Sequence, residues 1–404
     1  MYQTMNEAVI VACGRTAIGK ALKGTLKNTH PVDYAGELMS AVMDRIPQLA
    51  RDEVEDITIG CSSPEGKMGC NMARLIGVRA GMPYSVPAET INRFCSSGLQ
   101  AISTEAHNIM TGCMDAAIAG GVETMTRAST TFPLEFQNKW LLEHDPTLYL
   151  LMGYTAENVA RRYGISREQI DAFSAESHRR AAAARAAGKF RKEIIPVHAL
   201  TDEGNWVTFD TDECIRPDTT PEVLAGLKPY FDENGCVTAG NSSQMSDGAG
   251  MVVLMNRKKA EERGIRPIAR YLGFAVCGVE PAYMGIGPIM AVPKVLRKTG
   301  LTLADIDIIE LNEAFGSQAI ACIDELGLDP AKVNPNGGAI ALGHPLGMSG
   351  VLIGSVVSYA WRSADMIFYN SRHLVANSLK RSLSRILRNL IAAGLFIAVG
   401  LYLV

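Results

Sequence analysis

The sequence has no CxxC pair and no cluster of cysteine with histidine. Its nine cysteines (Cys13, Cys61, Cys70, Cys95, Cys113, Cys214, Cys236, Cys277 and Cys322) are scattered. That pattern gives no metal-ligand spacing, so no metal is expected. An odd count spread over a long chain is no disulfide framework either, and it fits a reducing compartment. There is no excess of basic residues: Lys+Arg 39 against Asp+Glu 42 leaves a formal charge of −3. A nucleic-acid-binding domain would usually be strongly basic, so nucleic acid is not an expected partner. Met1–Ile10 has no basic segment followed by an apolar one, hence no export signal, and a cytoplasmic location is expected. The apolar end, Leu390–Val404, has fifteen residues without a charge, short of the roughly 20 that a spanning helix needs. Arg372, His373, Lys380, Arg381, Arg385 and Arg388 precede it, as they would an anchor with its positive flank in the cytoplasm. Membrane contact there is the weaker reading. The stronger is that the segment fills core positions or is a noncoding reading frame.

What is present is ordinary soluble composition, 47% apolar and 20% charged, on a chain of 404 residues. That length exceeds one compact core and implies two or three domains. From Glu7 to about Arg93 the pattern alternates strand and helix: a strand at Ala8–Ala12, helical periodicity over Val32–Leu49, a strand at Ile57–Ile59. Ser97–Gly112 is helical, and Ala116–Ala119 is a short strand that Gly120-Gly121 is expected to end. Such alternation predicts a layered α/β fold. Residues from about 123 to 240 read as an insertion over a site, with helices at Thr155–Tyr163 and Arg167–Ala187, the second capped by Ser166. The α/β pattern is expected to resume at Val237. A second α/β unit, 267–360, loosely echoes the first and has Ile306–Leu311 as its clearest strand. Residues 5–265 thus form one half with its insertion and 267–360 a second. Residues 361–404 are an unrelated tail.

Three places carry chemistry. Cys95 lies in NRFCSSGLQ, where a strand ends and a helix begins. Helix N-terminal amides favour a thiolate, the nucleophilic form. His344 lies in NGGAIALGHPLG, fixed between glycine and proline, and is a candidate base for a thiol. A lone loop histidine is more often a solvated side chain. Asn312 lies in ELNEAFG at a predicted strand end, where α/β proteins place ligands. A simple helix cap explains it equally well.

Together with AGGVETMT, MGYTAENVA, TAGNSSQMSDGA and MGIGP, these segments resemble the thiolase family from about Met5 to Ala360. The resemblance implies two similar βαβαβαββ halves stacked in α-β-α-β-α layers, with the insertion as a loop domain over coenzyme A. It implies that Cys95 is the acyl-accepting nucleophile, with its backbone amide in an oxyanion hole. His344 is then the activating base and Asn312 the holder of a water in the other oxyanion hole. Arg216 is similar to an arginine near the adenine of coenzyme A, and Ala239 and Ser243 to residues beside the pantetheine. Phe231, Met284 and Phe315 are similar to apolar walls of that tunnel. CSSGLQ, with Leu151 before Met152-Gly153, resembles the degradative 3-ketoacyl-CoA branch. Coenzyme A is then a substrate, with no permanently bound cofactor, and a homodimer or homotetramer is implied.

The resemblance also implies a Cys-x-Gly motif beyond the GHP loop, whereas the last cysteine is Cys322. The final strands of the second half are therefore expected to be replaced. Two functions follow: thiolysis of 3-ketoacyl-CoA, or the reverse condensation, through acyl-Cys95; or an impaired acyl-CoA-binding homologue that lacks the second catalytic cysteine. A ketoacyl synthase relative ranks third, since such enzymes lack this loop domain.

Overall fold

The structure is a computed structural model that describes residues 5–128 and 134–351. Its elements in chain order are β1 (Ala8–Arg15), β2 (Gly19–Lys20), α1 (Pro31–Met43), β3 (Asp56–Gly60), α2 (Met72–Arg79), β4 (Glu89–Ile91), α3 (Ser97–Met110) and β5 (Ala116–Thr124). Then follow α4 (Lys139–His144), α5 (Met152–Tyr163), α6 (Arg167–Ala186), β6 (Val197–Leu200), β7 (Trp206–Phe209) and α7 (Pro221–Ala225). Last come β8 (Ser246–Asn256), α8 (Arg257–Glu262), β9 (Ala269–Arg270), α9 (Gly287–Thr299), α10 (Gly316–Leu326) and α11 (Ala339–Leu342).

A mixed sheet in the order β4-β3-β5-β8-β1-β9, with β2 on β8, organises the chain. β3 is parallel to β4 and β5, while β5–β8, β8–β1 and β1–β9 are antiparallel. β5 and β8 are buried along their whole length because helices cover both faces. Val9, Val11, Ile57, Ile59, Ile118 and Val122 alternate onto one face against Tyr34, Leu38, Met39 and Val42 of α1 and Ala73 and Ile76 of α2. α3 covers the other face, where Thr58 donates its hydroxyl to Glu105. This is the α/β architecture that the alternation predicted. The helix expected to reach Leu49 ends at Met43, and the strand expected to resume at Val237 begins at Ser246.

Two expectations need correction. Gly120-Gly121 do not end the fifth strand, which continues through Thr124. A Cβ on Gly121 would stand 2.1 Å from the Gly347 carbonyl oxygen. The pair is there so that another backbone can lie on the strand, a second use of glycine inside a sheet. Among the described residues Ile306–Leu311 forms no laddered strand. Its pairing there is one parallel bridge, Ile309 to Val333. The replaced final strands, the tail 361–404 and the apolar end Leu390–Val404 lie outside the described residues. No described helix is long and apolar enough to cross a membrane.

Within the insertion, Ser166 and Gln169 form a reciprocal cap at the start of α6: the Ser166 hydroxyl accepts from the Gln169 amide at 3.3 Å, and the Gln169 side chain accepts from the Ser166 amide at 2.8 Å. A buried ion triad ties the insertion to the sheet. Arg15, at the end of β1 and fully buried, donates to Asp212 at 2.7 and 2.9 Å and to Glu193 at 2.9 Å. Its guanidinium also lies 5.5 Å from the Phe190 ring centre. Truncating one member of such a cluster strands the others without a counter-charge. Arg15→Met should therefore lower unfolding free energy by about 3–5 kcal/mol, read as a lower urea midpoint. A midpoint within experimental error of the parent would show that the triad adds nothing.

Candidate active site

Sequence-distant segments converge at the end of the sheet. After β4 the chain makes a single 3-10 turn, Phe94–Ser96, before α3, and Cys95 sits in it. Phe94 takes φ +46°, a left-handed conformation that is costly for an aromatic residue. Its amide is held by Asn92 Oδ1 at 2.8 Å. The loop after α11 brings in His344, which is 4% exposed. Asn312 follows the extended segment 306–311.

These three side chains touch. Cys95 Sγ is 3.1 Å from His344 Nε2, and Asn312 Nδ2 is 3.3 Å from the same nitrogen. On the far side of the ring, His344 Nδ1 is 2.6 Å from Ser349 Oγ. Ser349 donates its own proton to the Pro345 carbonyl at 3.0 Å, so its oxygen accepts from Nδ1–H. That assignment leaves the Nε2 lone pair aimed at the thiol, as a base requires. Burial holds the imidazole down to about 4, so it is neutral at pH 7.

At Cys95, burial works against the thiolate that the helix-start position favours. Burial, and secondarily the charge of Glu123, push Cys95 up to about 12. Desolvation outweighs the amides. The resting pair is a neutral thiol donating to a neutral imidazole.

The segment 242–245 runs between the other pieces. Ser243 donates its amide to the Ala314 carbonyl at 3.0 Å, Ser242 bridges to Phe315, and Gln244 accepts the His344 amide at 2.9 Å. Ser243 and Phe315 thus adjoin the three chemical residues. Arg216 is exposed and reaches Gln244 Oε1 at 3.4 Å, touching none of the three directly. Ala239 is exposed in the loop before Ser243. Phe231 packs edge-on against Tyr154 of α5, with ring centres 5.6 Å apart, and Met284 is 40% exposed in the turn before α9. Among the described residues no group of histidine, cysteine and acid could hold a metal.

Sequence reasoning missed three residues. Ser349 fixes the imidazole tautomer. Glu313, 1% exposed, accepts from Ser177 Oγ at 2.7 Å, Asn334 Nδ2 at 2.8 Å and the Ile340 amide at 3.2 Å. It therefore locks Asn312's segment to α6 and to the start of the histidine loop. Gly338 has to be glycine, since a Cβ there would stand 2.2 Å from the Glu313 carboxyl carbon. Glu123 is the third. A lone acid inside an otherwise apolar, fully buried strand was the signal for it.

Residues 8–258 match the thiolase N-terminal domain and residues 265–366 the thiolase C-terminal domain. The chain belongs to the thiolase family. The match runs to residue 366, a little past the expected limit near Ala360. The 3-ketoacyl-CoA thiolase of Bacillus subtilis (strain 168) is 49% identical over 354 residues, which is 86% of this chain and 90% of that one. The crystal structure of the Bacillus anthracis acetyl-CoA acetyltransferase superposes with a TM-score of 0.82 at 38% identity, covering 89% of this chain and 93% of that one. The dimeric peroxisomal thiolase of Saccharomyces cerevisiae gives the same TM-score, 0.82, at 38% identity over 89% of this chain and 92% of the other.

Two outcomes follow for this thiolase. His344 works only when neutral, and its held-down pKa places the acid limb of kcat/KM near about pH 4 rather than near the ordinary 6.5. A limb near 6.5 in a pH–rate profile would contradict the buried neutral base. Ser349→Ala frees Nδ1 and lets the ring reorient. It should lower kcat by about tenfold or more, part of the ~100- to 10,000-fold that a positioned base supplies, with KM little changed. An unchanged kcat would remove Ser349 from the site.

Proposed function

We propose that this chain is a coenzyme-A-dependent acyltransferase that cleaves 3-ketoacyl-CoA, or runs the reverse condensation, through an acyl-Cys95 intermediate. The observation that carries this reading is the 3.1 Å contact between Cys95 Sγ and a neutral, oriented His344 Nε2, beside the amide of Asn312. The names of its relatives favour a working thiolase over an impaired homologue.

In this reading His344 takes the Cys95 proton as sulfur attacks the 3-keto carbon. The C2–C3 bond then breaks, acyl stays on sulfur and acetyl-CoA leaves. Its C2 must gain one proton, and within the described residues the imidazolium of His344 is the donor at hand. The thiol of a second coenzyme A then gives its proton to His344 and attacks the acyl carbonyl. Acyl-CoA departs, and the Cys95 thiolate recovers the proton. Protons and electron pairs balance over the two half-reactions. Charge builds on substrate oxygens in the two half-reactions, with a water on Asn312 as donor in one oxyanion hole and the Cys95 amide as donor in the other. Asn312, Ser349 and Gly337 line a cavity of about 30 Å³ together with Glu310, roomy enough for water. The sequence has no cysteine after Cys322, so it does not contain the Cys-x-Gly motif that the resemblance implies.

Arg216, Ala239, Ser243, Phe231, Met284 and Phe315 form the coenzyme A side of the site in this proposal. Leu151, 44% exposed at the start of α5, gives the acyl side an apolar lining. The protein acts in the cytoplasm as a homodimer, in line with the dimeric yeast relative.

The test is thiolysis of a 3-ketoacyl-CoA by the full chain. Cys95→Ala should abolish it. Removing an activated nucleophile forfeits most of the chemistry, a loss of about 1000-fold or more. Acetyl-CoA as donor should leave a stoichiometric acyl group on Cys95 by peptide mass. Acylation elsewhere, or full turnover by Cys95→Ala, would overturn the reading. Arg216→Ala should weaken coenzyme A binding in calorimetry by about tenfold, as expected for the loss of one charged contact, and leave acylation of Cys95 intact.

A further inference from the structure

Glu123 lies at the end of β5 with its side chain fully buried. Its carboxylate accepts from the Ser62 amide at 2.9 Å, the Ser62 hydroxyl at 2.6 Å and the Gly347 amide at 2.8 Å on one oxygen. The Ser63 amide reaches the other at 3.3 Å. Three of these donors are backbone N–H groups, which can only donate, so the geometry suits the ionised acid although burial raises its pKa. No cation pairs with it in any described contact.

Each donor belongs to a functional segment. Gly347 is three residues beyond His344. Ser62 follows β3, and its carbonyl accepts from Asn92 Nδ2 at 2.9 Å. Asn92 Oδ1 in turn holds the strained Phe94 amide next to Cys95. A continuous path of hydrogen bonds therefore runs from the nucleophile's turn through Asn92, Ser62 and Glu123 to the loop of the base.

We propose that Glu123 is a positioning residue for acyl transfer: its carboxylate sets the Cys95 turn and the His344 loop at their working separation. The inference rests on the assignment of Cys95 and His344 above. It adds a group that touches neither substrate nor reacting atoms. Its negative charge has a second consequence. It opposes formation of the Cys95 thiolate in the resting site, so the thiol keeps its proton until His344 removes it.

The experiment compares Glu123→Gln with Asn92→Ala in the full chain, by thiolysis and by alkylation of Cys95 with iodoacetamide at pH 8. Both variants cut the path, and both should lower kcat by about tenfold, a misplacement-sized loss, with KM within about twofold. Only Glu123→Gln removes the charge, so only it should raise Cys95 alkylation, by about tenfold for each unit its thiol pKa falls. Asn92 is exposed, so its variant folds independently of how well the core tolerates glutamine. An unchanged kcat in Asn92→Ala, or faster alkylation in both variants alike, overturns the proposal. Failure of acetyl-CoA to acylate Cys95 in the parent protein would instead overturn the assignment of Cys95.

Discussion

Everything at the site depends on one close approach. The backbone of the histidine loop rests directly on the end of the sheet, with Gly347 against Gly121 and no side chain between them. A Cβ on Gly121 would meet the Gly347 oxygen at 2.1 Å, and a Cβ on Gly347 would meet the Val122 and Gly60 oxygens at 2.8 Å. Two backbones at that separation leave nothing to adjust. His344 and Cys95 are 249 residues apart in sequence, and this contact brings the loop of the one over the turn of the other. The Glu123 carboxylate then fixes the loop's position by accepting the Gly347 amide.

Buried charge is handled in two ways here. Where the chain needs mechanical connection, as between β1 and the insertion, Arg15 meets Asp212 and Glu193 in an ion triad. Where it needs chemistry nearby, it buries single carboxylates, Glu123 and Glu313, and satisfies them with amides, hydroxyls and one asparagine. The difference has consequences for the nucleophile. A buried cation beside Cys95 would stabilise a standing thiolate. A buried anion does the opposite, and the thiol stays protonated. Glu313 does for Asn312 what Glu123 does for His344: each acid sits next to, or one short loop from, a reacting residue and pins that segment to a neighbour.

Much of this was legible in the sequence, and the rest was not for definable reasons. The cap at Ser166, the strands near Ala8 and Ile57 and the helix from Ser97 follow from local pattern, and the structure has them. Cys95, His344 and Asn312 were singled out by their turn, loop and strand-end positions, and the structure brings them into contact. Local pattern failed where the partner is distant. Gly120-Gly121 read as a strand end because nothing nearby reveals that residue 347 will lie on them. Ile306–Leu311 has a strand's composition but one bridge among the described residues, because ladders are a property of neighbours. Ser349 was passed over because an isolated serine has no periodicity to betray it, and Glu123 because the strand that holds it was read as ending at Ala119.

The thiol's state shows why position alone did not decide the chemistry. Helix-start amides stabilise an anion at a turn open to water, while burial removes the water that any anion also needs. The amide contribution is modest and local. The cost of stripping solvent from a thiolate is larger, and a neighbouring carboxylate adds to it. The site answers by never holding the anion at rest. In the proposed mechanism the proton passes between sulfur and nitrogen, whose centres are 3.1 Å apart, as the new carbon–sulfur bond forms and the negative charge passes on to the substrate oxygen and its donors. A nucleophile kept neutral until substrate excludes the remaining water is spared oxidation and stray alkylation, which act on thiolates. The same burial that holds His344 down to about 4 leaves the base neutral at pH 7. Reactivity here is therefore a property of the assembled pair, and it exists only while the glycine contact holds the two segments together.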